Sequence, residues 1–405
     1  MTTLDESRIS SPESGLRDYI AAARNRIAGG ELGTLPVILG LAVIWTVFQS
    51  LNPNFLTAQN LVNLSLQITA TGTIAVGLFL VLLLGEIDLS AGSVSGLCAA
   101  ILAVLTVKYD TGPVPALGAA LAVGALVGAF QGSVFTRFGV PSFVVTLAGL
   151  IGWQGLQLHV LGTTGTINLR PGLITDLTST FLPRPVGWAL AVSVAALYAA
   201  VQLLERHQRR RAELPLRPGL ETALSVGVLA SVLLAVVAVL NQDRGVPLAL
   251  LVFVGFVVFF DVLTQRTRYG QHILAVGGNA EAARRSGIHV ARIRTSVFIL
   301  SSVMAAAGGV LAASRLLAVG QSSGGGDVLL NAIAAVVIGG TSLFGGRGRA
   351  YSALLGVLVI GSISNGMDLL SLGSSVKYMI TGCVLLGAVT LDSLARRGRQ
   401  AHGRA

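Results

Sequence analysis

The stretch Ile74-Ala-Val-Gly-Leu-Phe-Leu-Val-Leu-Leu-Leu84 leads directly into Gly85-Glu-Ile-Asp-Leu-Ser-Ala-Gly92, and this change from an apolar run to a polar break decides the fold. A helix of roughly 20 apolar residues crosses a bilayer core, and residues 60–84 carry no charge. Only 11% of all residues are charged and the mean hydropathy is +0.77. Soluble domains carry roughly 25% charged residues, so the sequence predicts an all-α, polytopic membrane helix bundle.

Runs of this kind predict twelve membrane-spanning helices, each near the length that a bilayer core requires. The predicted spans cover residues 34–51, 60–84, 89–107, 114–136, 142–161, 186–204, 220–240, 245–264, 295–317, 327–343, 350–370 and 375–393. The tenth run is short and is interrupted by glycine. A core of ten spans with re-entrant segments therefore fits almost as well, and we predict a bundle of about 10–12 transmembrane helices.

The placement of lysine and arginine predicts the orientation of the chain. Most of the 28 basic residues fall on one side of the predicted spans, and cytoplasmic loops carry such an excess. We therefore predict cytoplasmic tails at 1–33 and 394–405 and a transmembrane domain at 34–393. The first apolar run is too long for a signal peptide, so we expect an uncleaved first helix. This topology explains the net charge of +10 without a nucleic-acid partner.

A polar segment between two long apolar runs, Val276-Gly-Gly-Asn-Ala-Glu-Ala-Ala-Arg-Arg-Ser-Gly-Ile-His-Val290, has the signals of one short helix. Asn279 is a good N-cap and Gly287 is a natural C-terminal stop. The acidic residue between them lies in the first turn and the two arginines lie in the last turn, as the helix dipole favours. A helix this short is marginal in water. We therefore expect a partner to dock on it, although an ordinary helical cytoplasmic loop has the same signals.

Glu86 and Asp88 are the only acidic residues between Glu31 and Asp110. Carboxylates at membrane depth are costly and are usually functional, which favours a role of this break in the transport pathway or its gating. Asp88 precedes Ser90 by two residues and could instead cap the third predicted helix. Capping would explain one of the two carboxylates and not both.

Polar residues inside the apolar runs mark a possible route for a polar solute. The amide side chains of Asn63, Gln67 and Asn365 can pair with hydroxyl groups as donor and as acceptor. Hydrogen bonds between neighbouring helices are the alternative explanation for each of them. We add Ser90 and Gly92 of the polar break to the candidate pathway or gating residues.

The sequence offers no pattern typical of a catalytic or metal site. The five histidines, at positions 159, 207, 272, 289 and 402, include no H-x-x-x-H pair. Cys98 and Cys383 both fall within predicted spans and are expected to be packing residues. Lys108 and Lys377 are each followed by tyrosine, so the chain lacks the G-x-x-x-x-G-K-[ST] loop that binds nucleotide phosphates. We therefore predict no catalytic residues, no metal and no cofactor.

Three ordered motifs resemble those of monosaccharide ABC-transporter permeases of the ribose, xylose and galactose type. Gly85-Glu-Ile-Asp-Leu-Ser-Ala-Gly-Ser93 is similar to G-G-I-D-L-S-x-G-S, and Val276–Ile288 is similar to the coupling segment G-x-N-x-x-A-A-x-x-S-G-I. Ile338-Gly-Gly-Thr-Ser-Leu-Phe-Gly-Gly-Arg-Gly348 is similar to I-G-G-T-S-L-x-G-G-x-G. The resemblance covers nearly the whole chain except about 165–240.

The resemblance implies the type II ABC importer architecture, with two permease copies around a central route. It implies that the chain is a transport subunit in the bacterial inner membrane and not an enzyme. A separate ATPase would supply energy, and a periplasmic binding protein would deliver the monosaccharide. The ATPase would contact the coupling segment at about 270–294, through Asn279, Glu281, Ala282, Ala283, Arg284, Ser286 and Gly287.

Residues outside the resemblance point to the substrate. An extra helix pair with a basic loop, at about 186–240, looks like the xylose branch of the family, so D-xylose is the predicted sugar. Glu86 departs from the family motif, which has glycine there, and Arg349 stands where many members have threonine. The rival interpretation is a secondary transporter driven by protons or sodium. It would use Glu86, Asp88 and Asp368 as ion carriers and would need no docking helix.

Overall fold

The computed structural model describes residues 35–214 and 219–401. The predicted N-terminal tail, Arg217 of the basic loop and residues 402–405 lie outside the described residues. The described chain is almost entirely helical, as the apolar composition requires. In a bilayer every backbone N–H and C=O group needs a hydrogen-bond partner within the protein. The α-helix provides these partners within one segment.

The helices follow the predicted spans closely. Their bounds are α1 Leu35–Leu51, α2 Ala58–Leu83, α3 Ala91–Ala103, α4 Pro113–Phe138, α5 Ser142–Leu161, α6 Leu173–Ser179, α7 Arg184–Arg211, α8 Gly219–Leu240, α9 Leu248–Arg266, α10 Arg268–Gly278, α11 Ala280–Arg285, α12 Val290–Leu316, α13 Gly326–Ile338, α14 Ala350–Leu369 and α15 Ser374–Ala401. Each of the twelve predicted spans falls on one of these helices. The three additional helices, α6, α10 and α11, are short.

Nine helices in the described chain are long and apolar enough to cross a membrane. α1 and α13 are apolar but shorter, with 17 and 13 residues. Together these helices confirm the predicted all-α, polytopic membrane architecture. The weak prediction for the tenth span is explained by α13, which ends at Ile338 and is followed by a glycine-rich loop.

α2 forms the centre of the larger compact unit, which comprises residues 34–181 and 247–392. From Gly72 to Leu83 every residue of α2 is buried, as expected for a helix that is apolar on all sides. Glycines let its neighbours come close. A Cβ on Gly72 would lie 2.4 Å from the Phe253 ring of α9, and one on Gly77 would lie 2.8 Å from the Ser301 carbonyl of α12. Such small residues are typical of membrane helix interfaces.

Four short strands join the helices: β1 Thr166–Asn168, β2 Phe181–Leu182, β3 Val246–Pro247 and β4 Ala318–Gly320. β1 and β4 pair antiparallel, with Ile167 opposite Val319. Gln157 of α5 donates hydrogen bonds to the carbonyls of Gly320 (3.1 Å) and Ser323 (3.0 Å). This buried amide therefore fixes the segment that leads from β4 to α13.

Residues 182–246 belong to a separate compact unit. Within it α7 and α8 pack on each other as a hairpin. Near the end of α8, the Asn241 side chain donates to the Arg184 carbonyl at the start of α7 (3.4 Å). Only 11% of the most apolar window of either helix is buried. The hairpin therefore presents apolar flanks, as expected for helices in contact with lipid.

Candidate functional site

The coupling segment forms a short helix, α11, whose ends are capped as the sequence predicts. The Asn279 side-chain oxygen accepts hydrogen bonds from the backbone N–H groups of Glu281 (3.1 Å) and Ala282 (2.9 Å). Gly287 has φ +85° and donates to the Arg284 carbonyl, while Ile288 donates to the Ala283 carbonyl. This pair of bonds is the Schellman motif, which satisfies carbonyls at the helix end.

α11 is anchored by two alanines, the buried Ala283 and the half-buried Ala280, and exposes its other side chains. Ala283 is buried in the main core, whereas Glu281, Ala282 and Ser286 are exposed. Glu281 pairs with Arg285 (3.3 Å) and Arg284 (3.7 Å) along the outer face. Exposed pairs of this kind contribute little stability. The predicted coupling residues other than the buried Ala283 therefore form a capped, charged face that is available to a partner.

Glycines bring three distant segments together directly behind α11, and we call this contact the glycine junction. The Gly346 N–H donates to the Leu83 carbonyl at the end of α2 (2.9 Å). Gly277, in the last turn of α10, packs against both of them. A Cβ at Gly277 would lie 1.8 Å from the Leu83 oxygen and 2.8 Å from the Gly346 nitrogen. Only glycine fits at this position.

Gly85 and Gly345 complete the glycine junction from the other two segments. Gly85 has φ +74° and Gly345 has φ +83°, a backbone region that glycine enters without strain. A Cβ at Gly345 would lie 2.6 Å from the Gly277 carbonyl and 2.8 Å from the Gly85 nitrogen. The three motifs singled out in the sequence, about 260 residues apart at their extremes, therefore meet backbone to backbone.

Glu86 connects the polar break with the first turns of α12. Its carboxylate lies 3.0 Å from the Arg294 guanidinium, and both side chains are largely buried, with 14% and 27% exposed. The same guanidinium lies over the Phe135 ring of α4, 5.0 Å from its centroid. A cation over an aromatic face is attracted by the ring quadrupole. The polar break, α4 and α12 are thus tied together next to the coupling segment.

Asp88 lies in a buried turn that begins α3. Its Oδ1 accepts hydrogen bonds from the Ser90 N–H (2.9 Å) and the Ser90 hydroxyl (2.7 Å). The Gln131 amide of α4 donates to the same hydroxyl (2.9 Å). Burial raises the pKa of the Asp88 carboxyl, although the bonds from Ser90 act in the opposite direction. These contacts close a local turn before α3, whereas the Asp88 Oδ2 is buried without a hydrogen-bond partner. Asp88 lines neither of the internal cavities described below.

Asp261 of α9 is a site residue that the sequence interpretation missed. Its carboxylate accepts a hydrogen bond from the Ala350 N–H (3.2 Å) in the first turn of α14. One turn later, the Gln265 amide donates to the Gly348 carbonyl (3.3 Å). Together they hold the glycine-rich loop that reaches the glycine junction. The available signal was an acidic residue inside an apolar span, which is costly unless it is paired.

Two adjoining cavities, of about 210 Å³ and 220 Å³, lie beside α2. Gln67, Thr71 and Arg315 line both of them. Further polar groups are Asn331, Ser364 and Asp368 in the first cavity, and Ser95, Ser322 and Ser323 in the second. Amides and hydroxyls donate and accept, whereas the guanidinium only donates and the carboxylate only accepts. This lining suits a small, neutral molecule rich in hydroxyl groups.

The structure brings two of the predicted pathway residues into direct contact. The buried Asn365 of α14 donates to Gln67 of α2 (3.2 Å) and accepts from Asn60 (2.7 Å). This chain of amides leads from the core to the cavity wall. Asn63 lies one turn before Gln67 on α2 and lines neither of the two cavities. Arg315 was not predicted as a site residue, because its position at a helix end resembled an ordinary loop charge.

Gly92 has a packing role in the structure. A Cβ there would lie 2.7 Å from the Gly324 carbonyl, so the residue lets the loop before α13 approach α3. A Cβ on Gly96, one turn later, would lie 2.2 Å from the Ser323 carbonyl oxygen. The loop that these glycines admit lines one of the two cavities through Ser323 and Gly324. Gly92 therefore shapes the cavity wall without contributing a polar group.

The glycine junction predicts a large difference between two neighbouring substitutions. Gly277→Ala places a methyl group within 1.8 Å of a backbone oxygen and should destabilise the protein by about 2 kcal/mol or more. Gly278→Ala is the matched control, because a Cβ there meets nothing within 4 Å. Thermal unfolding in detergent should show a lower midpoint for Gly277→Ala only. Equal midpoints for the two variants would contradict the close contact.

The Glu86–Arg294 pair predicts energetic coupling between the two residues. Glu86→Gln and Arg294→Gln each leave a largely buried charge without its partner, which is costly. The double variant removes both charges and should be more stable than the two single effects predict, by about 1 kcal/mol. Unfolding midpoints of the four proteins measure this coupling. Additive shifts would mean that the pair contributes no interaction energy.

Comparison with known proteins identifies the family. Residues 60–389 match the family described as branched-chain amino acid transport system / permease component. The chain is 36% identical to the xylose transport system permease protein of Escherichia coli K12 over 85% of this chain and 87% of that protein. The corresponding protein of Haemophilus influenzae is 32% identical over 88% and 95%.

A ribose permease is also similar, and no solved structure matches the chain. The ribose import permease protein of Bacillus subtilis is 33% identical over 90% of this chain and 94% of that protein. These matches extend across the coupling helix, the polar break and the glycine-rich loop, so they include the segments that meet at the glycine junction. The chain belongs to this permease family and is an ABC-transporter permease of the ribose and xylose type, a transport subunit and not an enzyme.

Proposed function

We propose that this chain carries D-xylose into the cytoplasm, using energy from ATP hydrolysed by a separate subunit. The observation that supports this most strongly is the capped, exposed helix α11 directly in front of the glycine junction. A secondary transporter would have no use for such a docking helix. The chain also belongs to a family of importer permeases. This membership favours ATP-driven transport over transport coupled to protons or sodium.

The glycine junction gives the coupling helix a mechanical path to the cavity. A displacement of α11 moves the last turn of α10, because Asn279 is shared between the two helices. Gly277 then presses directly on the Leu83 carbonyl, since no side chain lies between them. α2 carries this movement towards Gln67, four turns along the same helix. ATP-driven closure would thus tilt α2 as a rigid body and open the route alternately to each side.

We propose that the sugar passes along the two cavities beside α2. Their lining offers amides, hydroxyls, one guanidinium and one carboxylate, which can pair with the hydroxyl groups of a monosaccharide. Asp368 also forms an ion pair with Lys377 of α15. Within the cavity lining itself the opposite charges of Arg315 and Asp368 balance, which favours a neutral solute. The other predicted pathway residues, including Asn63 and Asp88, would hold the helices around this route in position.

Two observations favour xylose over other sugars. The chain is 36% identical to the Escherichia coli xylose permease, above the 30–33% of the ribose permeases, although the xylose permease of Haemophilus influenzae, at 32%, falls within that range. The hairpin of α7 and α8 corresponds to the extra helix pair that was attributed to the xylose branch. Glu86 and Arg349 are departures from the family motifs. Both lie at the glycine junction or its loop, away from the cavity residues that would select the sugar.

We also propose the assembly and the location of the protein. Two permease copies would surround the route, with two ATPase subunits on the side of α11 and a periplasmic sugar-binding protein on the opposite side. The excess of arginine in the segments next to α11 supports a cytoplasmic location for that side and for both termini. The protein would reside in the bacterial inner membrane, surrounded by lipid, with no nucleic-acid partner.

Purification from native membranes tests this function. We expect an ATPase subunit to co-purify with the tagged chain. Hydrolysis by the reconstituted complex should rise more with xylose-loaded than with ribose-loaded binding protein. Proteoliposomes that contain only this chain should take up no sugar. Uptake driven by a proton or sodium gradient in those proteoliposomes would replace the proposal with secondary transport.

The charges of α11 predict a coupling defect. Glu281→Lys puts a positive charge in the first turn and beside two arginines, so this six-residue helix should fray. We expect xylose uptake below about a tenth of wild type with normal membrane abundance, because Glu281 is exposed. Glu221→Lys is the matched control in the first turn of α8. Normal uptake by Glu281→Lys would argue against a coupling role.

The cavity predicts a different defect at Gln67. Gln67→Leu removes the hydrogen bond from Asn365 and a polar group from both cavities. Uptake should fall by roughly fivefold to tenfold, as expected for one lost hydrogen bond of about 1 kcal/mol. The ATPase should still co-purify. Gln202→Leu, in the hairpin and outside both cavities, should transport normally. A similar loss for both variants would remove Gln67 from the route.

A further inference from the structure

The basic end of the α7–α8 hairpin has no role in the transport path proposed above. α7 continues past its apolar part as Glu205-Arg-His-Gln-Arg-Arg-Arg-Ala-Glu213, with four arginines against two glutamates. All four arginines are exposed. Arginine near the end of a helix suits the dipole, but one or two charges in the last turn would be enough for that.

The length of α7 places this cluster at a defined depth. The apolar part from Val186 to Leu204 measures about 28 Å at about 1.5 Å per residue, close to the thickness of the hydrocarbon core. The arginines follow immediately, so they lie where lipid phosphates lie. Apolar side chains along the hairpin, such as Leu197, Leu203 and Val228, are more than 60% exposed. Lipid is therefore the natural neighbour of the hairpin along its whole length.

Three of the arginines lie together on one face of α7. Arg206, Arg209 and Arg210 are spaced i, i+3 and i+4, so their side chains are neighbours on the helix surface. The Arg206 guanidinium crosses the start of α8, where a Cβ on Gly219 would lie 3.0 Å from its Nη1. The face thus continues to the first turn of α8, where backbone N–H groups lack helical partners and favour anions.

The carboxylates at this end of the hairpin offset its positive charge only in part. Glu221 lies in the first turn of α8, and Glu205 and Glu213 flank the cluster on α7. Within the described part of the hairpin, no carboxylate lies within 4.0 Å of the guanidinium groups of Arg209, Arg210 or Arg211. Planar guanidinium groups bind phosphate oxygens in pairs, with charge-assisted hydrogen bonds.

We infer that Arg206, Arg209 and Arg210 form a binding surface for the phosphate groups of anionic phospholipids at the membrane surface. Lipid, and not the ATPase, is the occupant because the cluster continues a lipid-exposed hairpin at phosphate depth. The contact stabilises a hairpin that buries little surface of its own. Juxtamembrane clusters of arginine attract anionic lipid in this way.

Native mass spectrometry of the purified full-length protein tests the inference. The protein is titrated with phosphatidylglycerol or with phosphatidylcholine in mixed micelles. Wild type should retain phosphatidylglycerol preferentially, and the lipid should raise its unfolding midpoint. Arg209→Gln/Arg210→Gln should weaken this retention roughly tenfold, since each arginine contributes separately to anion binding. Arg209→Lys/Arg210→Lys keeps the charge but not the planar guanidinium groups, so its retention should fall between those of the wild type and the glutamine variant.

The opposite end of the same hairpin provides the matched control. Arg184→Gln/Arg244→Gln removes the same charge where α7 begins and α8 ends, and it should leave retention unchanged. Equal loss in both double variants would mean that net charge alone attracts the lipid, and would overturn the site. Unchanged retention in Arg209→Gln/Arg210→Gln would overturn it as well. Selective loss of the co-purified ATPase in that variant would assign the cluster to a protein partner instead.

Discussion

The structure depends on one backbone contact: the Gly346 N–H bound to the Leu83 carbonyl, with Gly277 packed against both. A methyl group at Gly277 would overlap the carbonyl oxygen, so the contact is rigid and leaves no space to absorb movement. Because packed interiors transmit displacement, the push on α11 that we propose for the ATPase would reach the central helix α2 directly. Gly85, Gly277, Gly345 and Gly346, which come from three separate motifs, are thus explained by one point of contact.

Charged and polar groups reinforce this contact from all sides. Glu86 and Arg294 tie the polar break to α12, and Asp261 and Gln265 hold the glycine-rich loop before α14. Each of these groups lies near the end of an apolar helix, where an unpaired charge would be costly. Pairing removes that cost. It also fixes how neighbouring helices are placed along each other, which apolar surfaces alone determine only weakly. The polar groups around the glycine junction therefore orient what hydrophobic packing brings together.

The residues that line the two cavities are held mainly by hydrogen bonds between amide side chains and by close helix packing. Gln67, Asn365 and Asn60 bind each other between α2 and α14, and Gln67 and Arg315 reach the space between these helices, α12 and α13. Gly92 and Gly96 of α3 lack side chains, so the loop before α13 can pack directly against the backbone of α3. The cavities lie on the same helix, α2, whose end enters the glycine junction. Coupling helix and cavity are therefore joined through one continuous rigid element.

The sequence by itself determined the helices, because apolar runs of membrane length and the caps Asn279 and Gly287 depend on local chemistry. It also indicated the family, since the three motifs are contiguous in the chain. Only the tertiary structure decided that these motifs touch, that Glu86 pairs with Arg294, and that Asp261 supports α14. It also turned Asp88 towards Ser90 instead of the cavity. Periodicity and composition predict where a helix lies in the chain, because they depend on residues that are close in sequence. Contacts between residues hundreds of positions apart arise from helix packing, which these patterns do not contain.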